Sequence, residues 1–550
     1  MGGKRALTVA DFFCGAGGFS EGFRQMGFDV VFALDNWKPA IDTHNLNHPE
    51  CKAVQMDILE LDTPEKIDEV VPDVDIIIGS PPCVAFSGSN KAGKADKSLG
   101  IQLIEAYLRI IAWKKKKGSL KYWILENVPN SGNYMKAEYS WEELGLPGKG
   151  PKLVMKERNV LNAAEYGAPQ TRKRFIGGDY LVPNKTHKED KFVTMRHVLD
   201  SLTNPLAHGK KKISDPIYGF SIDSGWLSDH FYDSRAEKYE WERSRKMKED
   251  HGFMGKMSFP EYLDRPSRTV MATMSASTRE SIFFEALDAH NKHAGYRLPT
   301  IREIASFMSF PITYQFEAGS EGAKYRLVGN AVCPKFASAL AGAILRKEGL
   351  AVPSKFIELP LRHPSFDLNG RKRKVKPPRP KPDYSKFESH VPYLKAKGMR
   401  VQLSNLSSDF KSGKIVWNCI IRYGQAKNHK LSKISKHDVE RLMRLDEKLR
   451  LGKGGHFERF ESEVKETFTK LPSAERLQKS YCENEEGWNP DIILNKIKTL
   501  VDKHYPANKF DSFMIDNSGK ALNVEKSEIP LRIAAGAFAC SYVAEMINKN

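Results

Sequence analysis

Five short runs, apolar on both faces, alternate with helical patterns in the first 130 residues, and this alternation restricts the fold more than any other feature. The runs are Leu7 to Phe13, Asp29 to Asp35, Ala53 to Asp57, Asp75 to Gly79 and Tyr122 to Val128. Phe19 to Met26 and Ile101 to Lys117 carry helical spacing between them. Strands buried on both faces and joined by helices predict a mostly parallel α/β sheet with helices on both sides. Ligands of such sheets sit beyond the carboxyl ends of the strands, so the residues closing each run are the candidates for chemistry.

The first run passes into Phe13-Cys14-Gly15-Ala16-Gly17-Gly18, a glycine-rich turn opening a helix. Glycines let backbone approach a ligand, and Asp35 at the end of the second run is suited to ribose hydroxyls, with Asp57 ending the third. An ordinary tight turn is the plain alternative. The fourth run ends in Ser80-Pro81-Pro82-Cys83, where two prolines stiffen a loop presenting a thiol as a candidate nucleophile. The plain alternative here is a small buried cysteine. The fifth run delivers Glu126-Asn127-Val128, a carboxylate after three apolar residues and a candidate proton donor. Further on, Gln170-Thr171-Arg172-Lys173-Arg174 puts two arginines on one face of an extended segment, able to brace a carboxylate or a phosphate.

The chain has 550 residues, more than one core usually serves, and a formal charge of +18. That charge is uneven: residues 1 to 350 carry 48 basic and 44 acidic side chains, whereas residues 371 to 450 carry 22 and 7. The excess is one local block, which suggests sequence-independent phosphate affinity outside the motifs above. Seven cysteines without a Cys-x-x-Cys pair argue against a disulfide framework and a structural zinc site. No run of 18 apolar residues and no signal-peptide pattern occurs, so a cytoplasmic protein is expected.

Taken in order, the Phe-x-Gly-x-Gly-Gly turn, the Pro82-Cys83 loop, the Glu126-Asn127-Val128 strand and the Gln170-x-Arg172-x-Arg174 segment resemble the motif set of the DNA cytosine-5 methyltransferases. Arg297-Leu298-Pro299-Thr300 through Phe310-Pro311, and then Gly329-Asn330-Ala331-Val332, continue the same order to about residue 345. Val84, Gln102 and Tyr325-Arg326-Leu327-Val328 depart from the family's usual residues.

The resemblance implies a Rossmann-like S-adenosylmethionine-dependent fold whose Cys83 adds to carbon 6 of a flipped-out cytosine. Glu126 would act at ring nitrogen 3, Arg172 would contact the base, and Arg174 would hold the glutamate and the cysteine loop. Phe13, Gly15, Gly17, Gly18, Asp35, Asn36, Asp57, Ile58, Pro82, Asn330 and Val332 would bind S-adenosylmethionine, and no metal is expected. Lys91, Lys94 and Lys97 are spaced for phosphate contacts, or are simply solvated.

Expected domains are residues 1–185 and 298–350 for the catalytic part and 186–297 for an inserted target-recognition domain. A basic, proline-rich linker at 351–385 and a C-terminal accessory domain of α+β type at 386–550 complete the chain. The recognition region has 17 basic against 15 acidic residues between 191 and 300, so it would read bases with a few placed side chains rather than with a large field. Double-stranded DNA is the expected partner, bound by a monomer in a bacterial, nucleoid-associated setting, with a cognate restriction endonuclease and no membrane. Rival readings are an exocyclic amino-methyltransferase, whose loop reads Ser-Pro-Pro-Tyr, a transfer-RNA methyltransferase and a catalytically silent DNA-binding regulator. A fused nuclease rests only on Glu463-Val464-Lys465.

Overall fold

The computed structural model describes residues 5–51, 53–82, 86, 96–207, 211–250, 256–273, 275–288, 292–375, 381–382, 385–424, 430–450, 455–483, 487–515, 518–526 and 528–550, with backbone only at 448–450. Two compact units divide the chain: residues 1–244 with 258–375, and residues 245–257 with 376–550.

In the first unit, β1 (Thr8–Phe12), β2 (Asp29–Asp35), β3 (Val54–Gln55), β4 (Ile76–Gly79) and β5 (Tyr122–Asn127) lie in the order β3-β2-β1-β4-β5 and are mutually parallel. The sheet then continues through strand Lys173–Asp179 to strand Glu157–Asn162, and Lys173–Asp179 runs antiparallel to both neighbours. The sheet is therefore mixed rather than simply parallel, and the antiparallel strand begins inside the Gln-x-Arg-x-Arg segment. Strand order reverses between β1 and β4, the point at which an open α/β sheet forms its crevice.

Apolar side chains fill both faces of the sheet. Val9, Ile76, Ile78, Ile124 and Ile176 pack on one side, and Ala10, Phe12, Ile77, Trp123 and Leu125 on the other. The helices that cover it are α1 (Gly18–Arg24), α2 (Lys38–Asn47), α3 (Pro64–Val70) and α4 (Ser98–Lys117). α2 had no sequence signal because its buried face carries Thr43, His44 and Asn47, so apolar periodicity is weak there.

The far end of the unit returns to its beginning: helix Pro334–Lys347 packs against α1. A Cβ at Gly22 would lie 2.3 Å from the Ala337 Cβ, and Ser338 Oγ donates to Gly22 O at 3.0 Å. Residues 321–347 are long and apolar enough to cross a membrane by composition, with an 18-residue window of mean hydropathy 1.3, but 83% of that window is buried. It forms two helices, Glu321–Asn330 and Pro334–Lys347, of this unit's core.

Residues 351–375, expected as exposed linker, are instead a strap on this unit. Leu359 and Leu368 are buried in its core, and Asn369 Oδ1 accepts from the N–H groups of His230 (2.9 Å) and Phe231 (2.8 Å). Lys324 pairs with Asp229 at 2.7 Å and also donates to Phe366 O, while Arg373 pairs with Glu240. The basic run Arg371-Lys372-Arg373-Lys374 hid these contacts, because composition alone reads as solvated surface. Pro377, Pro378 and Pro380 fall outside the described residues.

The second unit contains a four-stranded antiparallel sheet, Glu388–Ala396, Met399–Ser404, Asn418–Tyr423 and Lys430–Ile434. One face, with Val401, Leu403, Cys419 and Ile421, packs on the buried helix Leu531–Lys549. Small residues Ala534, Ala535, Gly536 and Ala537 permit close approach, and a Cβ at Gly536 would lie 2.3 Å from Leu394 Cδ2. Glu463 and Lys465 sit on helix His456–Thr467 rather than on a strand. Glu463 is engaged by Lys503 (2.6 Å) and His504 (2.7 Å), and Lys465 by Glu461 (2.6 Å), which removes the basis for a nuclease motif.

Asn369→Ala removes two backbone acceptor contacts and a 2.7 Å donation to Leu227 O. The first unit should lose about 1–3 kcal/mol, read as a lower urea midpoint; an unchanged midpoint would show that the strap contributes no stability.

Candidate active site

The turn after β1 takes left-handed backbone at Phe13 (φ 54°), Gly15 (φ 53°) and Gly17 (φ 83°). At Gly18 a Cβ would come 2.2 Å from Val332 O, so a side chain there would push the closing segment away. At Gly15 a Cβ would meet only Phe13 O, at 4.0 Å, leaving that edge of the turn open as a cradle. Gly15 N–H donates to Asp35 Oδ2 at 3.0 Å, and Trp37 N–H donates to Asp35 Oδ1 at 2.9 Å. Burial raises the Asp35 pKa, and these backbone donors oppose the rise. The open edge beside a carboxylate fits a ligand carrying hydroxyls or an amine.

Asp57 caps the short helix Ile58–Glu60, accepting from Leu59 N–H at 3.0 Å, and Ile58 is buried. Asn36 and Asn330 are exposed, whereas Val332 is buried with its carbonyl against the turn. Trp37 escaped the sequence reading: its ring lies under the Arg326 guanidinium, 4.7 Å from the ring centroid. An aromatic residue two places after the strand-end Asp35 was the available signal.

At the end of β4, Ser80 Oγ donates to Phe13 O at 3.1 Å, and Pro81 O accepts from Asn127 Nδ2 at 3.0 Å. Pro82 is exposed. Cys83, Val84, Lys91 and Lys94 lie outside the described residues. The chain beyond Cys83 is tied at Phe86, whose carbonyl accepts from Asn130 Nδ2 at 3.2 Å and whose ring contacts Tyr134 at 5.4 Å. Asn127 and Asn130 thus fix Pro81 and Phe86, which precede and follow Cys83 in the chain. Lys97 sits over the Tyr134 ring at 5.3 Å. The other six cysteines are buried and unpaired by disulfide.

Glu126 is 6% exposed, and Arg174 Nε lies 2.9 Å from its Oε1. Taking either charge away from such a buried pair typically costs 3–5 kcal/mol, because the remaining charge stays unpaired. Arg172 is also buried, and its guanidinium donates to the carbonyls of Val270 (3.2 Å), Gly329 (3.1 Å) and Ala331 (3.1 Å). Gln170 Oε1 accepts from Val270 N–H at 3.2 Å, and Thr171 N–H donates to Ser267 O at 2.8 Å. The Gln-x-Arg-x-Arg segment therefore joins β5, residues 267–270 and residues 329–331. Among the described residues no group of three or more His, Cys, Asp or Glu could hold a metal ion.

Below the turn Asp11, fully buried, accepts from Ser20 N–H (3.2 Å) and Ser20 Oγ (2.6 Å), yet burial pushes its pKa up to about 7. Between about pH 4 and pH 7 the folded chain retains a proton that the unfolded chain releases, so this group lowers stability as pH rises through that window. Asp11→Asn should therefore gain stability relative to the unsubstituted protein between pH 5 and pH 8 in urea titrations. A difference independent of pH would contradict the placement.

Residues 7–346 match the family described as C-5 cytosine-specific DNA methylase. Type II methyltransferase M1.HphI of Haemophilus parahaemolyticus is 28% identical over 372 residues, covering 62% of this chain and 87% of that protein. Type II methyltransferase M.DdeI of Desulfomicrobium norvegicum is 26% identical over 386 residues, covering 62% and 88%. The crystal structure of S. pombe Dnmt2 methyltransferase is 19% identical with a TM-score of 0.40, covering 62% of this chain and all of that one. With 340 of its 550 residues inside the matched region, the chain belongs to the C-5 cytosine-specific DNA methylase family and is a DNA (cytosine-5) methyltransferase.

Proposed function

We propose that the protein methylates carbon 5 of a cytosine flipped out of a specific double-stranded DNA sequence, through a covalent bond between Cys83 and carbon 6. The observation that carries this reading is the buried Glu126–Arg174 pair at the end of β5, next to the strand whose end leads into Pro81-Pro82-Cys83.

Carbon 5 of cytosine is a weak nucleophile. Attack of the Cys83 thiolate on carbon 6 forms a C–S bond and moves electron density to carbon 5. Glu126, after taking up a proton from solvent, passes it to ring nitrogen 3, so that negative charge does not accumulate there. Arg174 keeps the Glu126 carboxyl oriented, and Arg172, anchored on three carbonyls, borders the base. S-adenosylmethionine, when bound, supplies the electrophilic methyl group. Loss of the carbon 5 proton to a base, departure of the Cys83 sulfur as thiolate and return of the nitrogen 3 proton to Glu126 then restore the aromatic ring.

The open glycine turn, Asp35, Asn36, Asp57 with Ile58, Pro82, Asn330 and Val332 are the residues proposed to hold S-adenosylmethionine, with Trp37 added from the geometry. Residues 186–297 are proposed to read the DNA sequence, extruding the base at a cost of a few kcal/mol. The names of the Type II relatives support a restriction-modification setting, and a nuclease acting at the same sequence is the partner proposed.

Duplex DNA containing 5-fluorocytosine, which cannot release its carbon 5 substituent, should trap a covalent complex in the presence of S-adenosylmethionine. Cys83→Ser should trap none, and Glu126→Gln should lower turnover on the order of 10²–10⁴-fold. Trapping by Cys83→Ser, or full methylation without Cys83, would overturn the mechanism.

A further inference from the structure

Beneath the glycine turn lies a set of buried polar side chains that the chemistry above leaves unused: Asp11, Ser20, His44, His48 and Tyr314. They come from β1, α1, α2 and the residue following it, and the segment after helix Ile301–Phe307. Tyr314 Oη donates to Ala16 O at 2.5 Å and lies 3.1 Å from His48 Nε2. Ser20 Oγ donates to Asp11 Oδ2 and lies 3.1 Å from His44 Nε2. The two imidazoles meet with ring centroids 4.7 Å apart.

Burial drives the His44 pKa down to about 3 and that of His48 well below its usual value. Each ring is thus neutral near pH 7 and carries one N–H. Because the Tyr314 hydroxyl spends its own proton on Ala16 O, it accepts from the His48 Nε2–H. A directed chain results, from His48 to Tyr314 to Ala16.

Gly17 seals this set from above. A Cβ there would lie 2.5 Å from Tyr314 Oη and 3.1 Å from both His44 Cδ2 and His48 Nε2. The Ala16–Gly17 peptide is held at both ends, its carbonyl by Tyr314 and its N–H by Cys14 O at 2.8 Å. A planar peptide gripped at both ends cannot rotate without losing two hydrogen bonds.

We propose that Tyr314 and His48 are positioning residues for the methyl donor, holding the turn from Cys14 to Gly18 in its binding shape before the ligand arrives. This rests on the assignment of that turn to S-adenosylmethionine. Shape held in advance lowers the ordering cost of binding, so its loss appears in affinity rather than in the chemical step.

The test uses the full chain, with S-adenosylhomocysteine as the calorimetric probe and amide hydrogen exchange of residues 12–19 measured without ligand. Tyr314→Phe should weaken binding about tenfold and speed exchange in the turn, while raising KM for the methyl donor more than it lowers kcat. KM for DNA should not follow. His48→Leu should behave alike, and His48→Gln, which retains an amide donor, should recover most of the affinity. Lower melting temperatures with unchanged affinity and exchange would overturn the proposal and leave the set as core packing. Failure of the unsubstituted protein to bind S-adenosylhomocysteine would instead overturn the cofactor assignment on which it rests.

Discussion

The contact between the glycine turn and the chain's return at residues 310–338 is the constraint on which the methyltransferase unit depends. Gly18 faces Val332 O, Gly22 faces Ala337, and Tyr314 reaches Ala16, so the first motif is held by a segment some 300 residues later. Glycine is required at 18 and 22 for opposite reasons from Gly15. The former accommodate protein backbone and side chains, and the latter leaves an open edge. Such long-range closure makes the turn a product of the whole unit rather than of local sequence.

From that closure the rest of the site follows. Once helix Glu321–Asn330 and the residues after it are docked, Gly329 and Ala331 present carbonyls to Arg172, and Arg172 in turn anchors the start of the antiparallel strand carrying Arg174. Arg174 then meets Glu126 on β5. A buried carboxylate is tolerated because its partner is itself fixed by neighbours, which is the condition under which a buried ion pair offsets its desolvation. The same antiparallel strand supplies the sheet edge to which Glu157–Asn162 adds.

Much of this was legible in the sequence where chemistry and apolar pattern coincide. The five strand runs, the glycine turn, Asp35 and Glu126 stand at the strand ends where the alternation of β-rich and helical segments placed them. Legibility failed where polar residues face inward. α2 buries Thr43, His44 and Asn47, and the strap at 351–375 buries just Leu359, Pro364, Leu368 and Arg373, so neither shows apolar periodicity. Arg172 was read for its charge, but its three carbonyl partners lie about 100 and 160 residues away, a distance at which no local pattern speaks. The charge block of 371–450 also divides at residue 375, since Arg373 is consumed by Glu240 in the first unit.

The central claim is that this active site modifies carbon 5 of cytosine and no exocyclic nitrogen. Duplex DNA methylated by the full chain with S-adenosylmethionine carrying a labelled methyl group, then digested to nucleosides and resolved by mass spectrometry, tests it most directly. The account predicts label in 5-methylcytosine alone. Label in N4-methylcytosine or N6-methyladenine would contradict it.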